Sequence, residues 1–311
     1  MRESVDAYVI GRRLARLRRS TALLLVTAAY LVATAVGIGI GIAASAAGWH
    51  PLLAALVGDL TGTVVVFAIS MVVGNSSLYD PYWSVAPPVI AAGWLAVAAG
   101  LPARQVLVLV LILAWAVRLT ANWAIGWSGL SHEDWRYVRM RQQTHGRLPW
   151  WLVSFGGIQL VPTLVVFVGM LPVWPALTGN RALGAVDLLA CVVTTAAVTL
   201  ETVADRQLHR FTGDPANRGT VAEVGLWRWC RHPNYLGEIG FWWGMWLFGL
   251  AAAPGWWWTV IGPLTMVALF VFASVPLMDR RLRERRPRYA EYASRVPALL
   301  PRVPRAPNAR Q

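Results

Sequence analysis

The sequence Arg231-His232-Pro233-Asn234-Tyr235-Leu236-Gly237-Glu238 leads directly into the apolar segment 239–253. Polar side chains this close to lipid are costly unless they have partners. A helix start would account for one or two of them, with Pro233 ending the preceding segment and Glu238 capping the new one. The stretch nevertheless contains five polar side chains. The pattern therefore predicts a membrane helix with a polar ligand bound at its mouth.

Apolar segments of this kind recur along the whole chain. Of its 311 residues, 57% are hydrophobic and 14% are charged, and a helix needs about 20 apolar residues to span a bilayer. We therefore predict an all-α, polytopic membrane helix bundle with seven or eight transmembrane helices; seven are expected if one of the short segments, the third or the seventh, is re-entrant. The candidate spans are about residues 21–47, 51–73, 86–101, 103–124, 150–173, 182–202, 236–252 and 254–278.

The distribution of charge predicts the topology of this bundle. All 28 basic residues are arginine, and the net charge is +13. If the N-terminus lies inside and eight helices cross, only Arg104 and Arg181 fall outside and Arg118 lies within a span, as the positive-inside rule requires. Both termini are thus expected in the cytoplasm, and the basic charge is explained without nucleic acid as a partner.

The motif-like polar segments all face the predicted cytoplasmic side. Binding and catalytic residues are often placed on loops that a rigid scaffold positions. We therefore expect an active site that opens to the cytoplasm. The segments concerned are 74–85, 125–149, 203–235 and 279–311.

The octapeptide 231–238 resembles the C-terminal signature of the steroid 5-alpha-reductase-like membrane enzymes, in particular a bacterial branch of unknown function. The segment 201–207, Glu-Thr-Val-Ala-Asp-Arg-Gln, is similar to the E-x-x-A-D-x-Q motif of that branch. The resemblance covers about residues 70–302 and is strongest from residue 201 onward. Further matching segments are 214–219, 225–228, 286–292 and 297–301.

The resemblance implies a function and a domain organisation. It implies an NADPH-dependent oxidoreductase of the bacterial inner membrane that reduces a carbon-carbon double bond conjugated to a carbonyl. The substrate would be lipophilic, steroid- or isoprenoid-like, and membrane lipids would be the other partners. We expect a basic cytoplasmic N-terminus at 1–20, a single transmembrane catalytic domain at 21–302 with its cofactor-binding part at about 201–302, and a disordered tail at 303–311.

Candidate cofactor-binding residues follow helical spacing. Glu201 and Asp205 share one helix face with His209, although a solvated helix end would show the same spacing. Asn234 and Glu238 stand one turn apart at a helix N-terminus, where free N–H groups and the helix dipole favour polar ligands. The resemblance implies that Glu201, Asp205, Asn234 and Glu238 hold NADPH, and the neighbouring candidates are Arg231, His232 and Tyr235.

Arginines supply the remaining cofactor candidates, together with one tyrosine of the C-terminal pattern. Guanidinium groups bind phosphate in bidentate fashion, which makes Arg283 in the basic run 279–286 a candidate for the cofactor phosphates. Anchoring at the membrane surface and binding of anionic lipid are the alternatives for that run. Arg118 within a span indicates an interior cavity, or a side chain that snorkels to the interface. Tyr292, from the C-terminal pattern, is the last candidate cofactor-binding residue.

Candidate catalytic residues come from two loops. The segment 75–84 resembles the S-x-x-D-x-x-W pattern of the branch, and 132–137 resembles E-D-x-R-Y. Hydride addition to an enone leaves negative charge on the carbonyl oxygen, which nearby donors stabilise. The steroid-reducing members use a glutamate and a tyrosine, but the second span here has no glutamate, and its Asp59 lies toward the wrong end. The candidates are Asp80, Tyr82 and Tyr137, with Tyr79 as a further candidate donor, although Asp-Pro is also ordinary turn chemistry.

Two other functions remain open at this point. The chain is also similar to membrane methyltransferases of the isoprenylcysteine or phospholipid type, which use S-adenosylmethionine. Those enzymes usually have fewer spans, usually begin their last helix with paired glutamates, and lack the motif at 201–205. A non-catalytic scaffold or transporter subunit would leave the one-sided polar motifs unexplained. The sequence shows no metal-ligand spacing and no G-x-G-x-x-G followed by an acid, so a nicotinamide cofactor would bind without a Rossmann fold.

Overall fold

The computed structural model describes residues 17–302, and every regular element in that range is a helix. The N-terminal part of the predicted basic segment, residues 1–16, and the predicted tail 303–311 lie outside the described residues. The longer helices are α1 (Arg19–Ala46), α2 (Pro51–Val73), α3 (Tyr82–Val97), α4 (Pro102–Gly126), α5 (Trp135–Thr144), α6 (Trp150–Thr178), α7 (Ala185–Gly213), α8 (Pro233–Ala252), α9 (Pro254–Arg285) and α10 (Tyr289–Arg295). Short 3-10 turns occupy Ser76–Tyr79, Pro215–Asn217 and Gly225–Arg228.

Within residues 17–302, six helices are long and apolar enough to cross a membrane: α1, α2, α4, α6, α7 and α9. They identify an integral membrane protein and confirm the predicted all-α polytopic bundle. The third and seventh predicted spans correspond to the shorter helices α3 and α8. Helix α8 lies at the centre of the bundle, where Phe241, Trp242, Met245 and Phe248 are almost completely buried.

Local sequence explains where the helices begin and end. At the start of α2, the His50 ring nitrogen accepts the Leu52 N–H at 3.2 Å, and Pro51 occupies the first turn, where a missing N–H costs nothing. Gly74 ends the helix in the left-handed conformation, φ +71°, which glycine adopts without steric cost. Pro233 opens α8 in the same way as Pro51 opens α2.

Glycines allow the closest helix contacts. A Cβ atom on Gly237 of α8 would lie 2.3 Å from Glu201 Cγ of α7, and one on Gly244 would lie 2.0 Å from Thr194 Oγ1. Small residues at such points let two membrane helices approach closely. Close packing of α7 on α8 therefore brings segment 201–205 beside segment 234–238.

The helix connections of the described residues lie at two faces: Asn75 and Ser76 contact residues 130–133 at one face, and the Leu101 N–H donates to the Gly179 carbonyl oxygen at the other. We call one the motif face; it carries segments 74–81, 127–149, 214–232 and 286–302. The other, the opposite face, carries the short connections 47–50, 98–101 and 179–184. The motif-like segments of the sequence thus meet at one end of the molecule, as predicted.

A buried ion pair fixes the opposite face. Arg104 Nε lies 2.7 Å and Nη2 3.1 Å from the two carboxylate oxygens of Asp187, and the arginine side chain is fully buried. The guanidinium also donates to the carbonyl oxygens of Gly179 and Ala182 at 3.4 Å. The pair joins the starts of α4 and α7 away from the polar motifs.

Candidate functional site

A cavity of about 460 Å³ lies among α3 to α9. Two separate polar clusters and an apolar surface form its wall. The cavity collects polar residues from segments that lie far apart in the sequence, which makes it the candidate site. The apolar wall consists of Trp83, Leu119, Trp123, Ile158, Pro162, Val165, Val166, Met266, Leu269 and Phe270.

The first polar cluster, which we call the acidic pocket, consists of Arg118, Glu201, Asp205 and Glu238. Arg118 Nη1 lies 2.9 Å from Asp205 Oδ2, and Nη2 forms an ion pair with Glu201. Glu238 Oε2 is 3.9 Å from the same Nη2. Three carboxylates thus surround one guanidinium in a partly buried site, which leaves the pocket rich in hydrogen-bond acceptors.

The indole groups of two tryptophans donate hydrogen bonds to the Glu238 carboxylate. Trp115 Nε1 donates to Oε2 at 3.0 Å, and Trp242 Nε1 donates to Oε1 at 2.8 Å. Both tryptophans are fully buried, and Trp115 stacks on Phe241 with the ring centroids 4.7 Å apart. Hydrogen bonds to a charged acceptor are stronger than neutral ones, so the indoles fix the carboxylate in one orientation.

The first turn of α8 completes this side of the cavity. Asn234 Nδ2 donates to Asp205 Oδ1 at 3.3 Å. The Tyr235 ring lies between His232, at 5.1 Å between ring centroids, and Phe270, at 4.8 Å. Asn234 and Tyr235 line the cavity, which places them beside the acidic pocket.

The second polar cluster, which we call the Asp80 pocket, joins the two predicted loop motifs. The Tyr137 hydroxyl donates to Asp80 Oδ1, and Arg136 Nη2 lies 4.0 Å from the same oxygen. Asp134 caps α5 by accepting the Arg136 N–H at 2.8 Å, and its own N–H donates to Ser77 Oγ at 2.7 Å. These contacts tie the 132–137 motif to the 75–84 motif.

Burial dominates the protonation of this pocket. It raises the pKa of Asp80 to about 7, against the lowering effects of the Arg136 charge and the Tyr137 hydrogen bond. Burial also raises the pKa of Tyr137 well above its usual value. The Asp80 pocket therefore contains a carboxyl group that gains or loses a proton near neutral pH.

Tyr82 lies away from both polar clusters. Its hydroxyl donates to Asp59 Oδ1 at 3.1 Å, within the interface with α2. The tyrosine that lines the cavity from this segment is Tyr79, whose hydroxyl shares a hydrogen bond with Thr163 Oγ1 at 2.8 Å. The role predicted for Tyr82 stays a prediction.

Arg231, His232 and Tyr292 do not line the cavity. Arg231 Nη2 and His232 Nε2 lie 2.6 and 2.8 Å from the Asp279 carboxylate, which also accepts the Tyr289 hydroxyl at 2.5 Å. Tyr292 donates to the Trp227 carbonyl oxygen at 2.5 Å. These contacts attach the C-terminal segment 286–302 to the start of α8, behind the residues that line the cavity.

Arg283 lies in a separate groove on the motif face, with Pro276, Asp279, Arg280 and Glu284. Its predicted role at the cofactor phosphates also stays a prediction. Within residues 17–302 no group of three or more potential metal ligands converges.

Sequence reasoning missed the tryptophans that hold Glu238. Both tryptophans lie in apolar segments, where the sequence alone does not distinguish them from residues that pack against lipid or other helices. The one available signal was spacing, since Trp242 follows Glu238 by one helical turn and Trp115 precedes Arg118 by three residues. Neither spacing shows that both indoles converge on one carboxylate.

Comparison with known proteins finds one matching family model and a similar yeast protein. A family model described as "Protein of unknown function (DUF1295)" matches residues 66–296, which includes every residue that lines the cavity. The chain is also 29% identical over 267 residues to an uncharacterized protein of Schizosaccharomyces pombe, which covers 77% of this chain and 76% of the yeast protein. No solved structure matches the chain.

Proposed function

The chain belongs to the DUF1295 family, a family of the steroid 5-alpha-reductase type, and from that premise we propose that it is an integral-membrane, NADPH-dependent reductase. Its reaction would reduce a carbon-carbon double bond conjugated to a carbonyl in a lipophilic, steroid- or isoprenoid-like substrate. The protein would lie in a bacterial inner membrane with the motif face toward the cytoplasm.

One observation carries this proposal: a single cavity contains both an acceptor-rich pocket and a carboxyl group with a pKa of about 7. The two clusters come from different helices and differ in chemistry. The acidic pocket suits a ligand with several N–H and O–H donors. The Asp80 pocket suits a substrate that must receive a proton. A reductase of an enone needs both.

The residues of the acidic pocket fit part of NADPH. Carboxylates accept hydrogen bonds only, so Glu201, Asp205 and Glu238 match the donors of a carboxamide and of ribose hydroxyls, and the Asn234 amide can both donate and accept. Carboxylates repel phosphate groups, so the phosphates would lie outside the cavity near arginines of the motif face such as Arg283. With its carboxamide and ribose in the acidic pocket and its phosphates near these arginines, NADPH would supply the hydride.

The Asp80 pocket would supply the other half of the reduction. As negative charge develops on the substrate carbonyl oxygen, a donor placed against that oxygen stabilises it. Below pH about 7 the Asp80 carboxyl carries a proton, and both Asp80 and Tyr137 line the cavity. The substrate gains one hydride and one proton, and the pair Asp80–Tyr137 delivers the proton. Solvent then restores it.

A second candidate function is methyl transfer from S-adenosylmethionine. The excess of carboxylates over arginine in the acidic pocket favours it, because a positively charged sulfonium would be stabilised there by Coulomb attraction. The same pocket would then hold a cation instead of a carboxamide.

Ligand binding decides between the two functions. We would titrate the detergent-purified full chain with NADPH and, separately, with S-adenosylmethionine, and follow the fluorescence of the tryptophans. The reductase predicts saturable NADPH binding that weakens in Asp205→Ala and not in Trp256→Ala, a change on the opposite face. Saturable binding of S-adenosylmethionine without NADPH binding would replace the reductase with the methyltransferase.

A further inference from the structure

Helices α6 and α9 pack against each other around Gly169 and Gly262, and their segments nearer the motif face, Ser154–Leu160 and Phe270–Ser274, do not pack closely against each other. A Cβ atom on Gly262 would lie 2.8 Å from the Val168 carbonyl oxygen, and one on Gly169 would lie 2.9 Å from Met266 Cε. From about one turn closer to the motif face, both helices line the cavity, beginning with Val165 and Val166 of α6 and Met266 of α9. The cavity therefore extends between two helices that diverge from a glycine contact.

Both helices change their winding where the gap begins. Segment Ser154–Leu160 of α6 and segment Phe270–Ser274 of α9 are π-helical, and each contributes a residue to the cavity wall, Ile158 and Phe270. A π-helical turn contains an extra residue, interrupts the usual hydrogen-bond ladder and is frequent at functional sites. The gap therefore lies between two helices that are both irregular beside the cavity.

The outside of this gap is apolar and faces lipid. Phe272 is 80% exposed, in the middle of a helix that is apolar enough to span a membrane. Pro162, Val165 and Leu269 are partly exposed and line the cavity. Among the described residues that α6 and α9 contribute to the wall, none is charged. A hydrocarbon chain would meet no desolvation barrier between the bilayer and the cavity.

We propose that the gap between α6 and α9 is the entrance for the substrate and remains occupied by its hydrocarbon part. The inference rests on the proposed function for the reacting end: the carbonyl would lie at the Asp80 pocket. The substrate class is then an amphiphile with its enone at one end and an apolar chain that extends through the gap into the bilayer. The polar cofactor would use a different route, from the motif face.

In this arrangement the hydrocarbon part of the substrate stays in an apolar environment, and only the polar cofactor enters from water. The hydrocarbon part moves from lipid into a lipid-like gap, so its transfer contributes little free energy, whereas transfer of the same chain from water would be strongly favourable. The chain length of the substrate is therefore free to exceed what a cavity of about 460 Å³ encloses. Only the reacting end of the substrate must fit inside the cavity.

The test uses an apolar probe and not the reaction. We would place the full chain in phosphatidylcholine vesicles that contain a fatty acid with a terminal diazirine, irradiate them, and locate the labelled residues by mass spectrometry. We expect label on Ile158 and Met266, which are 3% and 2% exposed. The separate variants Val165→Trp and Leu269→Trp should reduce that label severalfold, and Leu269→Ala should retain it.

Matched controls are Val161→Trp and Leu264→Trp, on the lipid-facing sides of the same helices and 51% and 49% exposed in the wild type. They should leave the label on Ile158 and Met266 unchanged. Equal label in all variants, or none in the wild type, would contradict the proposal that the gap between α6 and α9 is the entrance. NADPH titration of the same samples is independent: if labelling follows the prediction without NADPH binding, the entrance stands and the reductase fails.

Discussion

At the scale of single residues, the candidate site depends on a few carboxyl groups whose partners differ. Glu238 accepts two indole N–H groups and lies near a guanidinium. Asp80 is largely buried, accepts a tyrosine hydroxyl and lies 4.0 Å from an arginine nitrogen. Glu238 is thus held as a hydrogen-bond acceptor, whereas burial favours the neutral, protonated form of Asp80.

Glu238→Gln should weaken NADPH binding. The substitution replaces an acceptor oxygen by an NH2 group, which cannot accept from one of the two indoles and carries no charge. Loss of one hydrogen bond to a charged group corresponds to about 1.5–3 kcal/mol, a ten- to hundredfold change in the dissociation constant. Isothermal titration would measure it. The control Glu291→Gln, at an exposed side chain of α10, should bind like the wild type.

Asp80 should impose a pH dependence on the reaction. Because its pKa is raised to about 7, the protonated form predominates below that pH, so kcat/KM with a lipophilic enone should fall as the pH rises through 7. Asp80→Asn should remove this dependence and lower the rate, by about 10²–10⁴-fold if Asp80 is the proton donor. A pH profile of NADPH oxidation would measure both.

Tyr137→Phe provides a second readout of the same group. The Tyr137 hydrogen bond lowers the pKa of Asp80, so its removal should move the falling limb of the profile to higher pH. A limb at the wild-type position in Tyr137→Phe, or one that persists in Asp80→Asn, would assign the titration to another residue.

At the scale of elements, the contact of α7 with α8 assembles the acidic pocket. The two helices supply Glu201, Asp205, Asn234 and Glu238, and their separation is set by glycine. Helix α4 then adds Arg118 from the side. The pocket is therefore sensitive to changes that alter the spacing of α7 and α8 without touching a polar group.

Gly237→Ala tests that dependence. The new Cβ atom would lie 2.3 Å from Glu201 Cγ and 2.8 Å from the Ala197 carbonyl oxygen, so the helices must move apart. Overpacking of this kind costs about 1–3 kcal/mol and should lower both the melting temperature and the NADPH affinity. Gly240→Ala, whose Cβ atom would lie 3.1 Å from Ala197 Cβ, should have a clearly smaller effect on both; equal effects would show that spacing at Gly237 is not limiting.

The C-terminal segment acts at the same scale. Asp279 connects Arg231 and His232 at the start of α8 to Tyr289 of α10, and backbone N–H groups of residues 231 and 232 donate to the carbonyl oxygens of Pro297 and Ala298. Part of the conspicuous motif at 231–238 therefore serves to anchor the chain behind the site, and the rest faces the cavity.

At the scale of the whole molecule, the arrangement of helices separates a polar face from an apolar one. Residues 19 and 302 lie at the motif face, where Arg19 donates to the Ala124 carbonyl oxygen and the Arg302 N–H donates to the Trp229 carbonyl oxygen, together with most of the arginines among residues 17–302. Because the positive-inside rule places such a face in the cytoplasm, a reporter active only in the cytoplasm should be active when fused to the C-terminus. A fusion in the connection 179–184 should report the other side. A periplasmic C-terminal signal would contradict the topology.

The sequence by itself determined the helical bundle and the face at which its polar motifs lie, because apolar length and arginine placement are local properties of the chain. It also indicated residues 201, 205, 234 and 238, since one helical turn separates the members of each pair. Only the tertiary structure decided the partners. Trp115 and Trp242 converge on Glu238, Arg118 enters between carboxylates of two other helices, and Tyr82 bonds to Asp59 away from the cavity. Such pairings depend on how each helix is rotated and packed against its neighbours, and side-chain spacing along one helix contains no information about that rotation.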